Sequence, residues 1–224
     1  MMDEKLDYKK EYPHLYMPKA KPSIVDVPPM HFIMVDGKGN PNTQGGEYQQ
    51  AVEVLYAVSY AIKMSKMGAG KPDGYFEYVV PPFEGLWWLE DGSGYDISKK
   101  DKFCWTSMIR QPEFVTQEVF EWACKEIARK KPQLDTSKAR LQAFHEGLCV
   151  QMMHIGAYDD ERATIDQIKA FIKENRLQNA VDEVQPDGTI KRHHELYLSD
   201  PAKVAPQKLK TILRHPVIQE QGLV

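Results

Sequence analysis

The chain has 224 residues, 42% hydrophobic and 10% aromatic, enough for one large domain or two small units sharing a core. Lys+Arg 29 against Asp+Glu 32 gives a formal net charge of −3, so no global positive field gathers nucleic acid or anionic lipid, and neither partner is expected. Three cysteines, Cys104, Cys124 and Cys149, fit neither a disulfide framework nor a paired metal-ligand spacing and read as reduced core residues.

The charged N-terminus lacks the apolar run of a signal peptide, and the stretch from Tyr48 to Met67 is broken by Gln49, Gln50, Glu53, Lys63 and Lys66. A cytoplasmic location without membrane partners is the expectation. Residues 1–28 combine charge with Pro13, Pro18, Pro22, Pro28 and Pro29, which predicts an extended N-terminal arm; residues 29–224 then form a single domain. A strand starts at His31, the loop Gly37–Gly46 follows, and a helix is predicted over 47–66, with Ala51, Leu55, Val58 and Ile62 as its buried stripe. Tyr75–Leu89 reads as a strand interrupted at Pro81-Pro82, paired with Lys102–Arg110 across the loop Glu90–Tyr95. Thr116 caps a helix that buries Val119, Phe120, Ala123 and Ile127 and ends at Lys130-Lys131-Pro132.

The first half, about 29–135, is thus β-α-β-β-α, and the second, about 139–215, repeats the order. It has a strand at Leu148–Ile155, a helix capped by Asp159/Asp160 with Ile165, Ile168 and Ile172 inside, a turn at Pro186-Asp-Gly188, a strand at His193–Ser199 and a short helix from Pro206. Met34-Val-Asp-Gly37 matches Met153-His-Ile-Gly156, and Ile109-Arg-Gln-Pro112 matches Leu198-Ser-Asp-Pro201, which suggests a duplicated unit.

Pro28–Asn42, Phe83-Glu-Gly-Leu-Trp-Trp88 and His194–Pro201 resemble the stand-alone branch of the GyrI-like, or bacterial effector-binding, family; Gln151–Ile165 is similar to the family's strand-Gly-helix signature. The resemblance covers about residues 28–202. It implies an α+β fold of duplicated β-α-β-β modules in pseudo-twofold arrangement, with ligands in a concave cleft between them. Family members include drug-sensing domains of transcription regulators, an inhibitor of DNA gyrase, and stand-alone proteins that hydrolyse cyclopropane-bearing alkylating natural products. Length and the Phe83–Trp88 stretch favour the last group, and Phe83 stands where relatives often carry Leu.

In His193–Ser199 a period of two places Leu196 and Leu198 on one face, expected beneath helices, and His193, Glu195 and Tyr197 on the other, expected to line the cleft. By resemblance, Glu195 is the family's mid-strand glutamate; Tyr197 is a candidate proton donor. Trp87 and Trp88 point to opposite faces, so at most one lines the cleft, and parity groups Glu84 with Trp88. Tyr78 and Trp105 are further aromatic candidates, and Glu146 is a cleft candidate at the start of its strand. No phosphate cradle, zinc motif or other metal or organic cofactor is indicated: Gly37-Lys-Gly39 lacks a third glycine, and His193 and His194 point apart. The function implied is binding of flat hydrophobic or aromatic small molecules and water addition to a strained cyclopropane, with burial raising the pKa of Glu195 as base. The alternative is a non-catalytic drug sensor or sink that selects cations; a protein inhibitor is a third reading.

Overall fold

The computed structural model describes residues 5–67, 71–92, 95–185 and 188–219. Its elements in chain order are α1 (Tyr8–Glu11), α2 (Pro13–Tyr16), β1 (Ser23–Val27), β2 (Met30–Lys38), α3 (Glu47–Met64), β3 (Phe83–Leu89), β4 (Phe103–Arg110) and α4 (Gln117–Lys130). Then follow β5 (Arg140–Phe144), β6 (Gly147–Ile155), α5 (Arg162–Glu174), β7 (Leu177–Asn179), β8 (His193–Tyr197) and β9 (Lys210–Gln219). Within the described residues no helix is long and apolar enough to cross a membrane.

Eight strands form one antiparallel path in the order β1-β6-β9-β8-β3-β4-β2-β5, with β7 attached to β9. This order is a palindrome of two modules. β2-α3-β3-β4 and β6-α5-β8-β9 each place their third element innermost, so β3 pairs with β8 at the centre, and Gly85 lies opposite Glu195 at the midpoint of that ladder. The strand preceding each module crosses to the other: β1 pairs with β6, and β5 with β2.

The duplication therefore holds, but neither of its two sequence matches joins equivalent positions. Met34–Gly37 and Met153–Gly156 fall on equivalent strands, two residues out of register: Val35 lies opposite Ser107, which faces Gly85, whereas Met152 lies opposite Leu213, which faces Glu195. Ile109–Pro112 closes β4, whose counterpart is β9, so its likeness to Leu198–Pro201 after β8 is coincidental.

The N-terminal stretch is not an extended arm. Asp7 caps α1 by accepting from the Lys9 amide, Pro13 takes a position in the first turn of α2 that needs no amide donor, and Ser23–Val27 is a sheet strand. Tyr8, Leu15 and Tyr16 are buried at 1% exposure each, so this segment is core. Helix α3 packs on β2 and β4. Helix α5 covers the other module: Ile165, Ile168 and Ile172 pack on Val150, Met152, Leu213 and Val217. Both lie on the face that carries Glu195. The helical cover was thus expected on the wrong face. Leu196 is buried on the opposite face, where the N-terminal segment covers the sheet; Leu198 lies beyond β8 and only half-buried.

Other boundaries moved for local reasons. Tyr75–Pro82 is irregular, since Pro81-Pro82 cannot donate to a ladder, and only Tyr78 bridges to Leu6. Thr116 caps α4 as expected. Asp159 and Asp160 do not cap α5: they occupy a 3-10 turn, Tyr158–Asp160, that runs into the helix, and Glu161 takes the cap position without a capping bond. Pro206–Lys208 is a single 3-10 turn. In the expected turns, Ser93-Gly94 and Pro186-Asp187 lie outside the described residues. Cys149 is buried, Cys104 and Cys124 are half-buried, and all three are unpaired.

Candidate functional site

Between α3 and the turn before α5, the two innermost strands are left uncovered. The resulting cleft, about 1120 Å³, has Glu195 at its floor and walls that include Tyr48, Tyr56, Phe83, Trp87, Tyr158 and Tyr197. Gly85 makes the floor possible. A Cβ there would stand 2.8 Å from Trp87 Nε1, so only glycine lets the indole lie across β3 and donate to the Tyr197 hydroxyl at 3.0 Å. Gly37 serves Trp105 in the same way, with the indole ring occupying the space of the missing side chain.

Glu195 is 3% exposed, yet both its oxygens are satisfied: His193 Nε2 lies 3.1 Å from Oε1, and the Tyr197 hydroxyl donates to Oε2 at 2.7 Å. His193 is held in turn by His215, with Nδ1 2.8 Å from Nε2, and by the Tyr95 ring stacked 4.1 Å away. The consistent tautomer has His215 donating to His193, which donates to Glu195. Burial, followed by the neighbouring His193, pushes His215 well below its ordinary 6.5 and keeps it neutral. For Glu195 burial pushes upward, but the bonds from His193 and Tyr197 outweigh it and the net shift is downward. This corrects the expectation of a raised pKa, which counted desolvation without the donors.

A second carboxyl adjoins the first. Glu161 is 2% exposed, and Glu161, His193 and Glu195 each place a ligand-type atom within 4.8 Å of the others. Burial and then the Glu195 charge hold the Glu161 carboxyl well above the usual range. The Tyr95 hydroxyl reaches Glu161 Oε2 at 3.5 Å, while Oε1 is buried with no hydrogen-bond partner, as suits a protonated acid beside an ionised one. Among the described residues this trio is the group with metal-ligand spacing. Both ring nitrogens of His193 are already engaged, so an ion would have to displace Glu195 or His215. A shared proton fits the trio better than a cation.

The Tyr197 hydroxyl, expected to donate to a ligand, is committed to Glu195 and receives from Trp87. The Tyr158 hydroxyl has no hydrogen-bond partner among the described residues and lines the cleft. Of the remaining candidates, Trp87 is the one in the cleft lining. Trp87, not Trp88, lines the cleft; Trp88 lies on the opposite face, beneath the Arg192 guanidinium at 4.5 Å. Trp105 is buried behind Tyr48, and Tyr78 packs on Tyr75 and Phe114. Glu84 and Glu146 clamp His194 on that opposite face, each 3.0 Å from a ring nitrogen. Glu146 also accepts from Arg214 at 3.1 Å. They belong to a buried ion network, not to the cleft, because the strand period that sends Glu195 forward sends its neighbours back.

Sequence reasoning missed Glu161, Tyr95, Tyr48 and His215. Glu161 stood in a segment already singled out, but its carboxylate carried no signal apart from other acids before a helix.

The model of the family described as GyrI-like small molecule binding domain matches residues 20–218. Among solved structures, a hydrolase from Listeria innocua is 49% identical over 96% of this chain and 100% of its own, with a TM-score of 0.84. An uncharacterized conserved protein from the same organism is 50% identical with the same coverage and a TM-score of 0.87. The C-terminal domain of EcmrR, 9% identical over 89% of this chain and 98% of its own with a TM-score of 0.52, shares the fold. No curated protein matches the sequence.

Proposed function

The chain belongs to the GyrI-like small-molecule-binding family, and from that premise we propose that its cleft takes flat, largely apolar electrophiles and adds water to a cyclopropane conjugated with a carbonyl. The observation that carries this reading is Glu195, a buried carboxylate whose charge is already met by His193 and Tyr197 at the floor of an aromatic cleft. Such a carboxylate needs no cation from the ligand. It stays ionised and takes a proton from water bound beside the substrate. The aromatic walls orient the flat ligand and exclude bulk water. As the ring opens, negative charge collects on the conjugated oxygen, and the Tyr158 hydroxyl is the donor placed to meet it. His193 and His215 hold the carboxylate in place. Glu161, protonated, keeps the charge of the carboxyl pair at one. The hydrolase from Listeria innocua supports the catalytic half of the reading.

A second reading, reversible capture of lipophilic cations, draws on the acids Glu53, Asp159 and Asp200 in the cleft lining, where Lys100 is the cation and is engaged by Asp159 at 2.5 Å. Incubating the purified protein with a cyclopropane-bearing alkylator and following the small molecule by mass separates the two. Hydrolysis gives a gain of one water; recovery of unchanged ligand supports capture alone.

A further inference from the structure

Helix α3 buries Ala51, Leu55, Val58 and Ile62 against the sheet and leaves its opposite side bare. That side carries Tyr56, Tyr60 and Met64 at 38%, 49% and 46% exposure, beside a groove of about 900 Å³ whose far wall on α4 holds Trp122 at 37%. Large apolar side chains gathered on one face and not used by the fold mark a surface with a partner. Their order along the helix identifies the occupant.

Counted outward from Val58, each of these positions has a counterpart of matching chemistry at the same distance on the other side. Tyr56 answers Tyr60, Glu53 answers Lys63, and Val52 answers Met64. At about 100° per residue, all six lie within about 60° of the line opposite Val58. An antiparallel second copy of α3, related by a twofold axis along that line, therefore sets tyrosine on tyrosine, Glu53 on Lys63 and Val52 on Met64, each contact made twice. A parallel copy would oppose Glu53 to Glu53 and Lys63 to Lys63. Within one chain the charge pair cannot close: ten residues of helix separate its members by about 15 Å. Neither side chain is in a salt bridge among the described residues, and the Lys63 amine lies 5.8 Å over the Tyr60 ring.

We infer that the exposed face of α3 is an interface between two copies of this chain, paired antiparallel about a twofold axis opposite Val58. The rings and the Val52–Met64 contacts supply apolar burial at its centre and flanks, and the two Glu53–Lys63 pairs fix direction and register. Tyr56 and Tyr60 also line the cleft, so pairing places the second copy's α3 at the mouth of the cleft.

Sedimentation of the full chain over a range of concentrations reads the pairing directly, and the wild type is expected to form a dimer. Glu53→Lys or Lys63→Glu turns two attractive contacts into two repulsive ones and should weaken that dimer at least about tenfold, whereas the two substitutions combined restore the pairs across the axis and should recover most of the loss. Tyr60→Ala should weaken the dimer with no change of charge. Positions 53 and 60 are exposed and 63 is half-buried, so the variants are expected to keep the fold, which circular dichroism and thermal unfolding check. A chain that stays monomeric at about 100 µM overturns the inference, and so does a dimer indifferent to either charge reversal. If both reversals dissociate the dimer and their combination does not restore it, α3 is not paired in this register and the proposal fails. A monomer whose affinity for a neutral aromatic ligand falls with Tyr60→Ala assigns the face to a small molecule and equally overturns it.

Discussion

At the residue scale the site depends on how a carboxylate is kept charged in a dry pocket. Burial alone would neutralise Glu195; His193 and Tyr197 reverse that by bonding its ionised form. A base with a depressed pKa keeps working as pH falls, and activity is lost only below the ordinary carboxylate value of 4.5. Tyr197→Phe removes one donor to the charged form. A hydrogen bond to a charged group contributes about 1.5–3 kcal/mol, so the acid limb of turnover should move up by roughly one to two pH units. A pH–rate profile checks this, and an unmoved limb would mean that Tyr197 does not set the charge of Glu195. Alternation put His193, Glu195 and Tyr197 together on one face, as found, but that face was expected away from the helices and instead carries α3 and α5. The pKa of Glu195 was not legible, because alternation sets His193 and Tyr197 beside Glu195 without showing that both donate to it, or that Trp87 on β3 donates in turn to Tyr197.

At the element scale the main surprise is the N-terminal segment, which closes the back of the sheet. Arg214 on β9 is 1% exposed and donates to the Leu15 carbonyl at 2.8 Å, to Gln151 at 3.0 Å and to Glu146 at 3.1 Å. Gln151 in turn donates to the His14 carbonyl at 2.6 Å. Removing the guanidinium strands a buried carboxylate and a carbonyl, which typically costs about 3–5 kcal/mol. Arg214→Met should therefore lower the urea midpoint by a corresponding amount and open residues 5–22 to proteolysis. A change below about 1 kcal/mol would show that apolar packing holds the segment without the network. Helices α3, α4 and α5 were legible because amphipathic stripes report burial directly. The arm and β9 were not. Five prolines and a high charge masked Tyr8, Leu15 and Tyr16 as core, and Arg214, His215 and Pro216 break the apolar pattern of Thr211–Val217 although every residue of that stretch is buried.

At the scale of the whole molecule, duplication supplies the cleft and divergence supplies the chemistry. Rotation about the β3–β8 axis exchanges Gly85 with Glu195 and Trp87 with Tyr197. One module gives the carboxylate, its histidine and Glu161; the other gives walls, with a glycine where a second charge would stand. The repeat could be read from element order, whereas this asymmetry needed the strand register. If Glu195 is the base that activates water, the decisive measurement is the turnover of Glu195→Gln on a cyclopropane substrate, at saturating concentration in folded protein. Loss of the proton acceptor without loss of shape should lower turnover by about 10²–10⁴-fold while the affinity for the substrate changes little; turnover equal to that of the wild type would contradict it.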